Sequence, residues 1–451
     1  MNRNEHLQKY KDLRKQYTEF CYESYYYEFS EDFLKIEFHF SLSKQYHFYP
    51  DHQLPVPENF DKNQIPIDEL ENLIFHIGMI ELISYWKAAC SPILKIKAFK
   101  LSKDQINWWK KLYFQGLGEF FYLNKIETNE MDFMHIKCET NKETAAFKAD
   151  NQEKVIVPVG GGKDSVVTLE SLKKLNKRLI PFVVNPRGAS LESIENAGFN
   201  LAKAYLTKRS IHPQLLELNK KGFLNGHTPF SAMLAFLSLL VARINRAKYI
   251  ALSNESSANE STIVGTNINH QYSKSYEFEE DFRNYYQRYI TADIEYFSFL
   301  RPINELQIAS IFAQYPNHFR SFKSCNVGSK QNIWCGKCPK CLFTYILLAP
   351  FISADQQHQI FGKAMLDDSS LKPIFDELRG KTESKPFECV GTIDEVEGSL
   401  KHAQKEYFEE KLLSDSGIKR LKDSDPSLKQ WNRHHFLSKD FEDVLKNKLD
   451  L

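Results

Sequence analysis

Apolar and polar residues follow two different periodicities in the first 150 residues of the chain. Over residues 33–40 every second side chain is apolar, which predicts a strand with one buried face. Residues 74–89 and 106–122 instead carry apolar side chains at helical spacing, and the second segment is rich in aromatic rings that we assign to core packing rather than to stacking on a ligand. These patterns predict an α+β domain over residues 1–150.

From residue 154 onward, short apolar runs alternate with helical patterns. Strands are predicted at 155–159, 179–184, 204–206 and 249–253, and helices at 164–175, near 191–196 and at 229–243. Strands that are regularly followed by helices are typical of a parallel α/β sheet. We therefore predict an α/β fold class with a parallel-sheet core.

Residues 151–451 form three predicted regions that differ in composition. The core domain is predicted to cover residues 151–320 and a cysteine-rich segment residues 321–350. A mostly helical region then covers 351–451, with a glycine- and proline-bounded linker at 380–386. The sequence makes no prediction about oligomeric state.

Composition and charge narrow the class of protein. Lys plus Arg number 59 and Asp plus Glu 58, so the net charge of +1 offers no broad basic surface for nucleic acid. A hydrophobic fraction of 42% and an aromatic fraction of 14% exclude a disordered chain. The charged start lacks the apolar core of a secretory signal, and no run approaches the ~18–20 apolar residues of a membrane span. We expect a cytoplasmic protein without a membrane or nucleic-acid partner.

A glycine-rich loop between a predicted strand and a predicted helix carries the strongest chemical signal. It consists of Gly160, Gly161, Gly162, Lys163, Asp164 and Ser165. Glycines let main-chain N–H groups approach a polyphosphate, the serine hydroxyl adds a donor, and the helix N-terminus adds partial positive charge. Lys163 can neutralise part of the phosphate charge. The spacing matches neither the Walker loop nor the dinucleotide-binding loop.

Four of the eight cysteines lie close together in the predicted cysteine-rich segment. They are Cys325, Cys335, Cys338 and Cys341. Four thiolates at this spacing suit tetrahedral Zn²⁺, and four protein ligands leave no position for a reactive water, so we expect a structural zinc site. An iron–sulfur cluster and redox or persulfide chemistry at the Cys-x2-Cys pair are the alternatives.

Polar residues before the helix at 229–243 are candidates for chemistry or substrate binding. Asn225, His227 and Thr228 lie there, and we expect Thr228 to cap the helix with Pro229 in its first position. His227 would then lie near a positive helix end as an acid–base candidate. A histidine that is only hydrogen-bonded within a loop is the alternative.

A second polar segment directly follows the predicted strand at 249–253. Its candidate residues are Asn254, Glu255, Ser257, Asn259 and Glu260. Ligands of parallel α/β sheets bind beyond the carboxyl ends of the strands, so we favour a site over a solvated loop. Cys389 is a further candidate because a thiolate can carry a proton, and an inert buried thiol is its alternative.

The loop GGGKDS resembles the SGGxDS loop of the PP-loop ATP pyrophosphatases, with Gly160 in place of the first serine. These enzymes cleave ATP to AMP and pyrophosphate. The resemblance implies that Gly161, Gly162 and Ser165 hold the pyrophosphate end of ATP and that Asp164 organises magnesium. Gly160 and Lys163 belong to the same predicted ATP-binding loop.

Five segments together resemble the UDP-N-acetylmuramoyl-L-alanyl-L-glutamate epimerases of peptidoglycan synthesis: VPVGGGKDSVVTLE, NGHTPFSA, LSNESSANE, WCGKCPKC and KPFECVGT. This resemblance covers most of the chain. It implies ATP- and magnesium-dependent inversion of the terminal L-glutamate of UDP-MurNAc-L-Ala-L-Glu, with release of AMP and pyrophosphate. The candidates for proton transfer are then His227, Glu255, Glu260 and Cys389, and those for substrate binding are Asn225, Thr228, Asn254, Ser257 and Asn259.

Three other functions stay open at this point. The first is another PP-loop enzyme that makes an amide or a nitrile, because deazaguanine nitrile synthases carry a similar cysteine pattern. The second is a tRNA thiolase or RNA-binding module, which the even charge balance disfavours. The third is a zinc protein with a degenerate loop that only binds a ligand.

Overall fold

The structure is a computed structural model that describes residues 3–58, 60–260, 262–263 and 268–451. The strands in these residues are β1 (Glu19–Phe29), β2 (Phe33–Leu42), β3 (Tyr46–Phe48), β4 (Asp51–Pro55), β5 (Ile93–Ile96), β6 (His135–Cys138), β7 (Gln152–Pro158), β8 (Arg178–Val184), β9 (Tyr205–Arg209), β10 (Ala247–Leu252) and β11 (Glu295–Ser298). The α-helices are α1 (Arg3–Gln16), α2 (Ile67–Glu81), α3 (Ile83–Trp86), α4 (Lys103–Gly116), α5 (Gly118–Leu123), α6 (Lys163–Leu172), α7 (Gly188–Asn196), α8 (Pro213–Lys220), α9 (Phe230–Asn245), α10 (Tyr276–Tyr289), α11 (Glu305–Phe312), α12 (Pro339–Leu348), α13 (Ala354–Phe361), α14 (Lys372–Leu378), α15 (Ile393–His402), α16 (Lys411–Ser414) and α17 (Lys439–Leu449).

The chain folds into two compact units. The first consists of Met1–Lys154, Tyr205–Ile250 and Gln271–Glu295, and the second of Val155–Ala204, Ala251–His270 and Tyr296–Leu451. No helix in the described ranges has both the length and the apolar character needed to cross a membrane.

The first unit contains a mixed sheet covered by helices. Its strands lie in the order β9-β4-β2-β1-β5-β6, and β3 pairs with β2. β1 and β2 are antiparallel, whereas β5 joins β1 in parallel. The alternation predicted for 33–40 is confirmed, because Leu34, Ile36, Phe38 and Phe40 are all fully buried on one face of β2. The predicted helices at 74–89 and 106–122 are each divided in two, into α2 and α3 and into α4 and α5.

The predicted strand at 204–206 and helix at 229–243 (β9 and α9) fall in the first unit, whereas the predicted strands at 155–159 and 179–184 and helices at 164–175 and near 191–196 are present in the second unit. Its strands lie in the order β11-β10-β7-β8, and α6 connects β7 to β8. The Val159 N–H donates to the Phe182 carbonyl at 2.8 Å, and the Phe299 N–H donates to the Leu252 carbonyl at 2.7 Å. Each bond joins the carboxyl ends of two neighbouring strands, so these strands are parallel. The predicted α/β arrangement is therefore confirmed for this part of the chain.

The core of the second unit fixes the position of the glycine-rich loop. Val155, Ile156 and Val157 of β7 are fully buried, and α6 packs against α11 and α17. The loops after β7, β10 and β11 leave the same edge of the sheet, where parallel α/β proteins bind their ligands.

The segment predicted as a linker at 380–386 is packed against the protein. Lys385 is buried, its N–H donates to the Thr262 carbonyl at 3.1 Å, and its ammonium donates to the Gly391 carbonyl at 3.0 Å. The segment contains no helix or strand, but these contacts show that it is not an exposed connection.

Candidate active site

The glycine-rich loop closes tightly on itself between β7 and α6. The Gly161 N–H donates to Ser165 Oγ at 3.2 Å, and the Ser165 hydroxyl donates to the Gly162 carbonyl at 3.0 Å. Gly161 has a φ of +87°, and a Cβ there would lie 2.6 Å from the carbonyl carbon of Ala189. Only glycine fits this position, since both the backbone conformation and the close approach exclude a side chain.

The first turn of α6 leaves main-chain donors available. Gly162 is the N-cap residue, and no described side chain caps the helix. The first hydrogen bond within the helix is donated by the Val166 N–H to the Gly162 carbonyl. The N–H groups of Lys163, Asp164 and Ser165 therefore lack partners inside the helix and lie at its positive end. A polyphosphate fits this set of donors.

Three carboxylates meet beside the loop, and we call them the carboxylate cluster: Asp164, Glu255 and Glu305. One oxygen of each lies within 4.8 Å of the others. Asp164 lies in the first turn of α6, Glu255 follows β10, and Glu305 is the first residue of α11. Carboxylate oxygens at this spacing suit a hard divalent cation such as Mg²⁺. The structure thus brings together two residues predicted from the sequence and one that was not.

The carboxylate cluster contains more negative than positive charge. The Lys163 ammonium donates to Asp164 Oδ1 at 2.5 Å and also to Glu305. Burial lowers the pKa of Lys163, but Asp164 and Glu305 outweigh it, so the pKa lies above its usual value. Burial also raises the pKa of Glu305 well above its usual range, and the carboxylates of Asp164 and Glu255 raise it further against the effect of Lys163. The raised pKa of Lys163 reflects the carboxylates that surround its ammonium.

Glu395 of α15 positions two parts of the site with one carboxylate. It accepts the Glu305 N–H at 2.8 Å and the Ser257 hydroxyl at 2.5 Å. Its other oxygen accepts the Thr392 N–H at 2.6 Å in the capping box of α15. The buried guanidinium of Arg301 also donates to the Glu255 carbonyl at 2.5 Å. These bonds fix the backbone on both sides of the carboxylate cluster.

The other candidates in the second unit belong to the segment after β10 and to the loop before α15. Asn254 is buried and donates to Ser298 Oγ at 3.0 Å. Asn259 ends a short 3-10 turn, and the Glu260 carboxylate accepts a hydrogen bond from buried Lys385. Cys389 is half-buried in the loop before α15 rather than enclosed in a core.

The candidates of the first unit cluster before α9. The Asn225 side chain accepts the Gly226 N–H at 2.9 Å, and His227 Nδ1 lies 3.7 Å from a carboxylate oxygen of Glu119. The prediction that Thr228 caps α9 was wrong. Pro229 is the N-cap residue, with φ −72° and ψ 75°, and the Phe230 N–H donates to the Thr228 carbonyl at 2.7 Å. These values describe an inverse γ-turn. In it the main-chain carbonyl of Thr228, and not its side chain, accepts a hydrogen bond from the first residue of the helix.

The four clustered cysteines form a candidate metal site. Their sulfur atoms lie within 4.8 Å of one another, with distances of 3.8 Å for Cys325–Cys338, 3.7 Å for Cys335–Cys341 and 3.5 Å for Cys338–Cys341. A tetrahedral ion with bonds of about 2.3 Å needs sulfur–sulfur distances of about 3.8 Å. The described cysteines form no disulfide. Main-chain N–H groups of Gly328 and residue 335 also donate to Cys325 Sγ, which is typical of thiolate ligands.

The cysteine segment is joined to the glycine-rich loop. The Lys323 N–H donates to the Gly161 carbonyl at 2.8 Å. Asn332 donates to the Glu192 carboxylate at 2.9 Å, and Arg187 donates to Ser329 Oγ at 2.7 Å. Residues before Cys325 and between Cys325 and Cys335 are therefore bonded to the loop, to α7 or to the N-cap residue of α7.

Sequence reasoning missed Glu305, Glu395 and Lys385. Glu305 follows Asn304 in a capping-box pattern, and this signal identifies the start of a helix but not an active-site carboxylate. A more useful signal was its position after β11, because an acidic residue beyond the carboxyl end of a parallel strand is a ligand candidate.

The geometry defines a class: α/β proteins in which a glycine-rich loop joins a strand to a helix whose first turn has no side-chain cap. The sequence model of the MurL N-terminal domain matches residues 11–299, and that of the MurL C-terminal domain matches residues 320–430. The UDP-N-acetyl-alpha-D-muramoyl-L-alanyl-L-glutamate epimerase of Xanthomonas oryzae pv. oryzae is 34% identical over 70% of each chain. Proteins of the same name from a Micromonospora strain and from Salinispora tropica are 33% and 32% identical over 76% of this chain and 76% and 75% of their own.

The chain therefore belongs to the MurL family of epimerases. This confirms the family predicted from the sequence motifs.

Proposed function

We propose that this protein inverts the terminal L-glutamate of UDP-MurNAc-L-Ala-L-Glu to D-glutamate and converts ATP to AMP and pyrophosphate. The relatives named as this epimerase support the substrate. The observation that carries the ATP requirement is the uncapped start of α6 beside the carboxylate cluster, because it combines donors for a polyphosphate with oxygen ligands for a cation. Because the proposed reaction uses a nucleotide-sugar and ATP, we also propose that it takes place in the cytoplasm.

The consumption of ATP has a chemical reason. Removal of the α-proton next to an ionised carboxylate would create a dianion, which makes that proton very weakly acidic. Attack of the glutamate α-carboxylate on the α-phosphorus of ATP releases pyrophosphate and forms an acyl adenylate, whose α-proton is far more acidic. After reprotonation from the opposite face, water cleaves the acyl–oxygen bond and releases AMP and the D-isomer. Adenylation thus lowers the barrier that a protein base would otherwise face alone.

We assign the nucleotide to the glycine-rich loop. The N–H groups of Gly161 and Gly162 and the start of α6 would bind the phosphates, with Gly160, Lys163 and Ser165 completing the loop. Asp164, Glu255 and Glu305 would hold Mg²⁺, which neutralises charge on the phosphates. Lys163 would then turn from these carboxylates to the nucleotide.

Each face of the planar intermediate needs an acid or base, unless one group reaches both. His227, Glu255, Glu260 and Cys389 are the candidates. The Glu260 carboxylate is already paired with Lys385, and Glu255 belongs to the carboxylate cluster. All four residues stay candidates for proton transfer, and alanine substitution of each, with ATP binding as the control, identifies the groups that epimerisation needs. Asn225, Thr228, Asn254, Ser257 and Asn259 are the proposed substrate-binding residues.

We also propose that the four-cysteine site holds a structural zinc ion. The sulfur distances fit a tetrahedral ion, and four protein ligands leave no reactive position. One equivalent of zinc per purified chain, and the absorption of tetrahedral thiolate after Co²⁺ substitution, would support this proposal. Iron and acid-labile sulfide would contradict it.

The epimerase proposal is tested by incubating the protein with Mg-ATP and UDP-MurNAc-L-Ala-L-Glu. AMP release is followed together with the configuration of the glutamate by chiral chromatography. We expect D-glutamate and AMP to form with wild-type protein and with the surface control Asp150→Asn, but not with Asp164→Asn. AMP formation without inversion would redirect the proposal to amide-forming chemistry. No AMP with any acid substrate would contradict the ATP requirement.

A further inference from the structure

The capping box at the start of α11 binds a second part of the chain. Asn304 Oδ1 accepts the Gln307 N–H at 2.9 Å, and Gln307 Oε1 accepts the Asn304 N–H at 3.0 Å, which completes the box. The side-chain amide of Gln307 then donates to the carbonyls of Leu428 at 3.0 Å and Gln430 at 2.8 Å. Gln307 is fully buried, so these carbonyls rather than water satisfy its amide.

Residues 425–432, which we call the strap, make further hydrogen bonds to the start of α11. The Asn304 side chain donates to the Ser427 carbonyl at 2.9 Å, and the Asn432 N–H donates to the Pro302 carbonyl at 2.7 Å. Together with the amide contacts above, these bonds hold the main chain before and after the first residue of α11.

The strap is also attached to α15. Asp425 Oδ2 lies 3.2 Å from His402 Nδ1, and a Cβ on Gly398 would lie 2.6 Å from the same carboxylate oxygen. In turn, α15 holds Glu305, because Glu395 accepts the Glu305 N–H at 2.8 Å. The start of α11, the strap and α15 therefore form a closed ring of contacts that includes Glu305.

The capping box of α13 shows that helix capping alone does not need such contacts. There Gln356 has the position that Gln307 has in α11, and its Oε1 accepts the N–H and the hydroxyl of Ser353. Gln356 is exposed, so water can satisfy its amide. Because a cap uses only the side-chain oxygen, the buried amide of Gln307 has the additional role of binding the strap.

The position of Glu305 matters because the carboxylate cluster draws its members from separate parts of the chain. A cation can use three carboxylates only when their oxygens stay close together, as the 4.8 Å limit for Asp164, Glu255 and Glu305 shows. The Glu305 carboxylate keeps its place only if the first turn of α11 does. Groups that orient metal ligands through hydrogen bonds typically contribute ~10–100-fold to metal affinity.

We propose that the strap positions Glu305 for cation binding and that Gln307 is the positioning residue through which it acts. The proposal rests on the proposed function only for the presence of a cation at the carboxylate cluster. Gln307 acts through the main chain of the first turn of α11, because its side chain is fully used by the capping box and the strap.

The test compares Gln307→Glu with Gln356→Glu. In α11 the new carboxylate keeps the oxygen that caps the helix but loses the amide that binds the strap, whereas in α13 the same change affects an exposed amide. Cleavage by trypsin after Lys429, an exposed residue of the strap, should become about tenfold faster in Gln307→Glu alone. Mn²⁺ binding followed by electron paramagnetic resonance should weaken about tenfold in the same variant.

The direction of the Mn²⁺ result separates positioning from charge. A new carboxylate that acted only through its charge would strengthen Mn²⁺ binding, so weaker binding by Gln307→Glu supports positioning. Faster cleavage of the strap with unchanged Mn²⁺ affinity would show a strap that only stabilises the fold, and it would overturn the proposal. Unchanged cleavage would show that the Gln307 amide does not hold the strap and would overturn it as well.

Gln307→Met is the second variant and covers the case in which Gln307→Glu does not fold. It removes the same amide without adding a charge, and Gln356→Met is its control because both variants also lose the capping oxygen. A folded Gln307→Met variant should regain AMP formation at higher Mg²⁺ concentration. Loss of AMP formation that Mg²⁺ does not restore would overturn the proposal.

The same measurements distinguish failure of this proposal from failure of the proposed function. If the wild type binds Mn²⁺ and forms AMP, and both Gln307 variants match it, only the positioning role fails. If the wild type does not bind Mn²⁺, the cation assigned to the carboxylate cluster in the proposed function is wrong, and the positioning role is overturned with it.

Discussion

Glu81 and Glu305 are both buried carboxylates, but their surroundings have opposite balances of charge. In the first unit, Glu81 accepts two hydrogen bonds from Arg209, at 2.8 and 2.7 Å, and one from His52 at 3.3 Å. In the second unit, Glu305 has one cation, Lys163, which it shares with Asp164. The first carboxylate is fully compensated, whereas the second is not.

The difference appears in the pKa values. Burial alone would raise the pKa of Glu81, but the Arg209 guanidinium and the His52 hydrogen bond lower it to about 2. At Glu305 burial acts in the same direction as the neighbouring carboxylates, and the pKa lies well above its usual range. Burial of an acidic residue therefore does not by itself indicate function. An excess of buried carboxylates beside main-chain N–H groups that can bind an anion does indicate function.

The largest effect is expected when Glu305 is changed. Glu305→Gln removes a proposed cation ligand, so AMP formation should fall about 1,000-fold. The Tm should change by only a few degrees, because Lys163 retains Asp164 and Gln has nearly the same size and shape as Glu. Mn²⁺ binding followed by electron paramagnetic resonance should weaken in parallel, with Glu295→Gln as the surface control. Normal AMP formation by Glu305→Gln would show that the Glu305 carboxylate is not needed for the reaction.

Glu81→Gln should produce the opposite pattern. It removes the charge from the group that accepts two hydrogen bonds from the Arg209 guanidinium, so the free energy of unfolding should fall by about 3 kcal/mol. Denaturant unfolding measures this loss, and AMP formation by the folded protein should be retained at low temperature. A variant as stable as the wild type would show that the compensated site is not structural.

Acid titration sharpens the same contrast. The pKa of Glu81 is lower in the folded protein than its usual value of 4.5, so its stabilising effect is complete above that pH and is lost as the pH falls towards about 2. The difference in unfolding free energy between wild type and Glu81→Gln should therefore shrink by about 2 kcal/mol between pH 6 and pH 3. If the difference in unfolding free energy grew on acidification, that result would contradict an ionised Glu81 in the folded protein.

The smallest effect is expected at Ser257, whose hydroxyl donates to Glu395. Ser257→Ala removes a neutral donor and leaves the charge balance unchanged, so Mn²⁺ affinity should fall about fivefold at most. Ser256→Ala is the matched control, because that hydroxyl donates to the Ile303 carbonyl. A loss as large as that of Glu305→Gln would show that hydrogen bonding, rather than charge, determines cation binding.

Local sequence patterns predicted the elements and the loop of the second unit well. The apolar run at 155–159 and the glycines after it specify a buried strand and a tight glycine-rich turn, and both depend only on neighbouring residues. The four-cysteine site was also visible, because its ligands are close in sequence.

Contacts between distant residues explain what could not be predicted. Glu305 lies 142 positions from Lys163, and Glu395 lies 90 positions from the Glu305 N–H that it accepts. No local pattern connects such residues. The wrong cap at Thr228 has a different cause, since Pro229 forms an inverse γ-turn before α9 begins.

Transfer of oxygen from substrate to nucleotide tests the central claim most directly. UDP-MurNAc-L-Ala-L-Glu labelled with ¹⁸O in the glutamate α-carboxylate is incubated with the protein, Mg-ATP and D₂O. If the carboxylate is adenylated, mass spectrometry should find one ¹⁸O in AMP for each α-deuterium gained on inversion. Inversion with α-deuterium exchange but unlabelled AMP would contradict the proposed route, in which cleavage of the acyl–oxygen bond of the adenylate leaves a substrate oxygen in AMP.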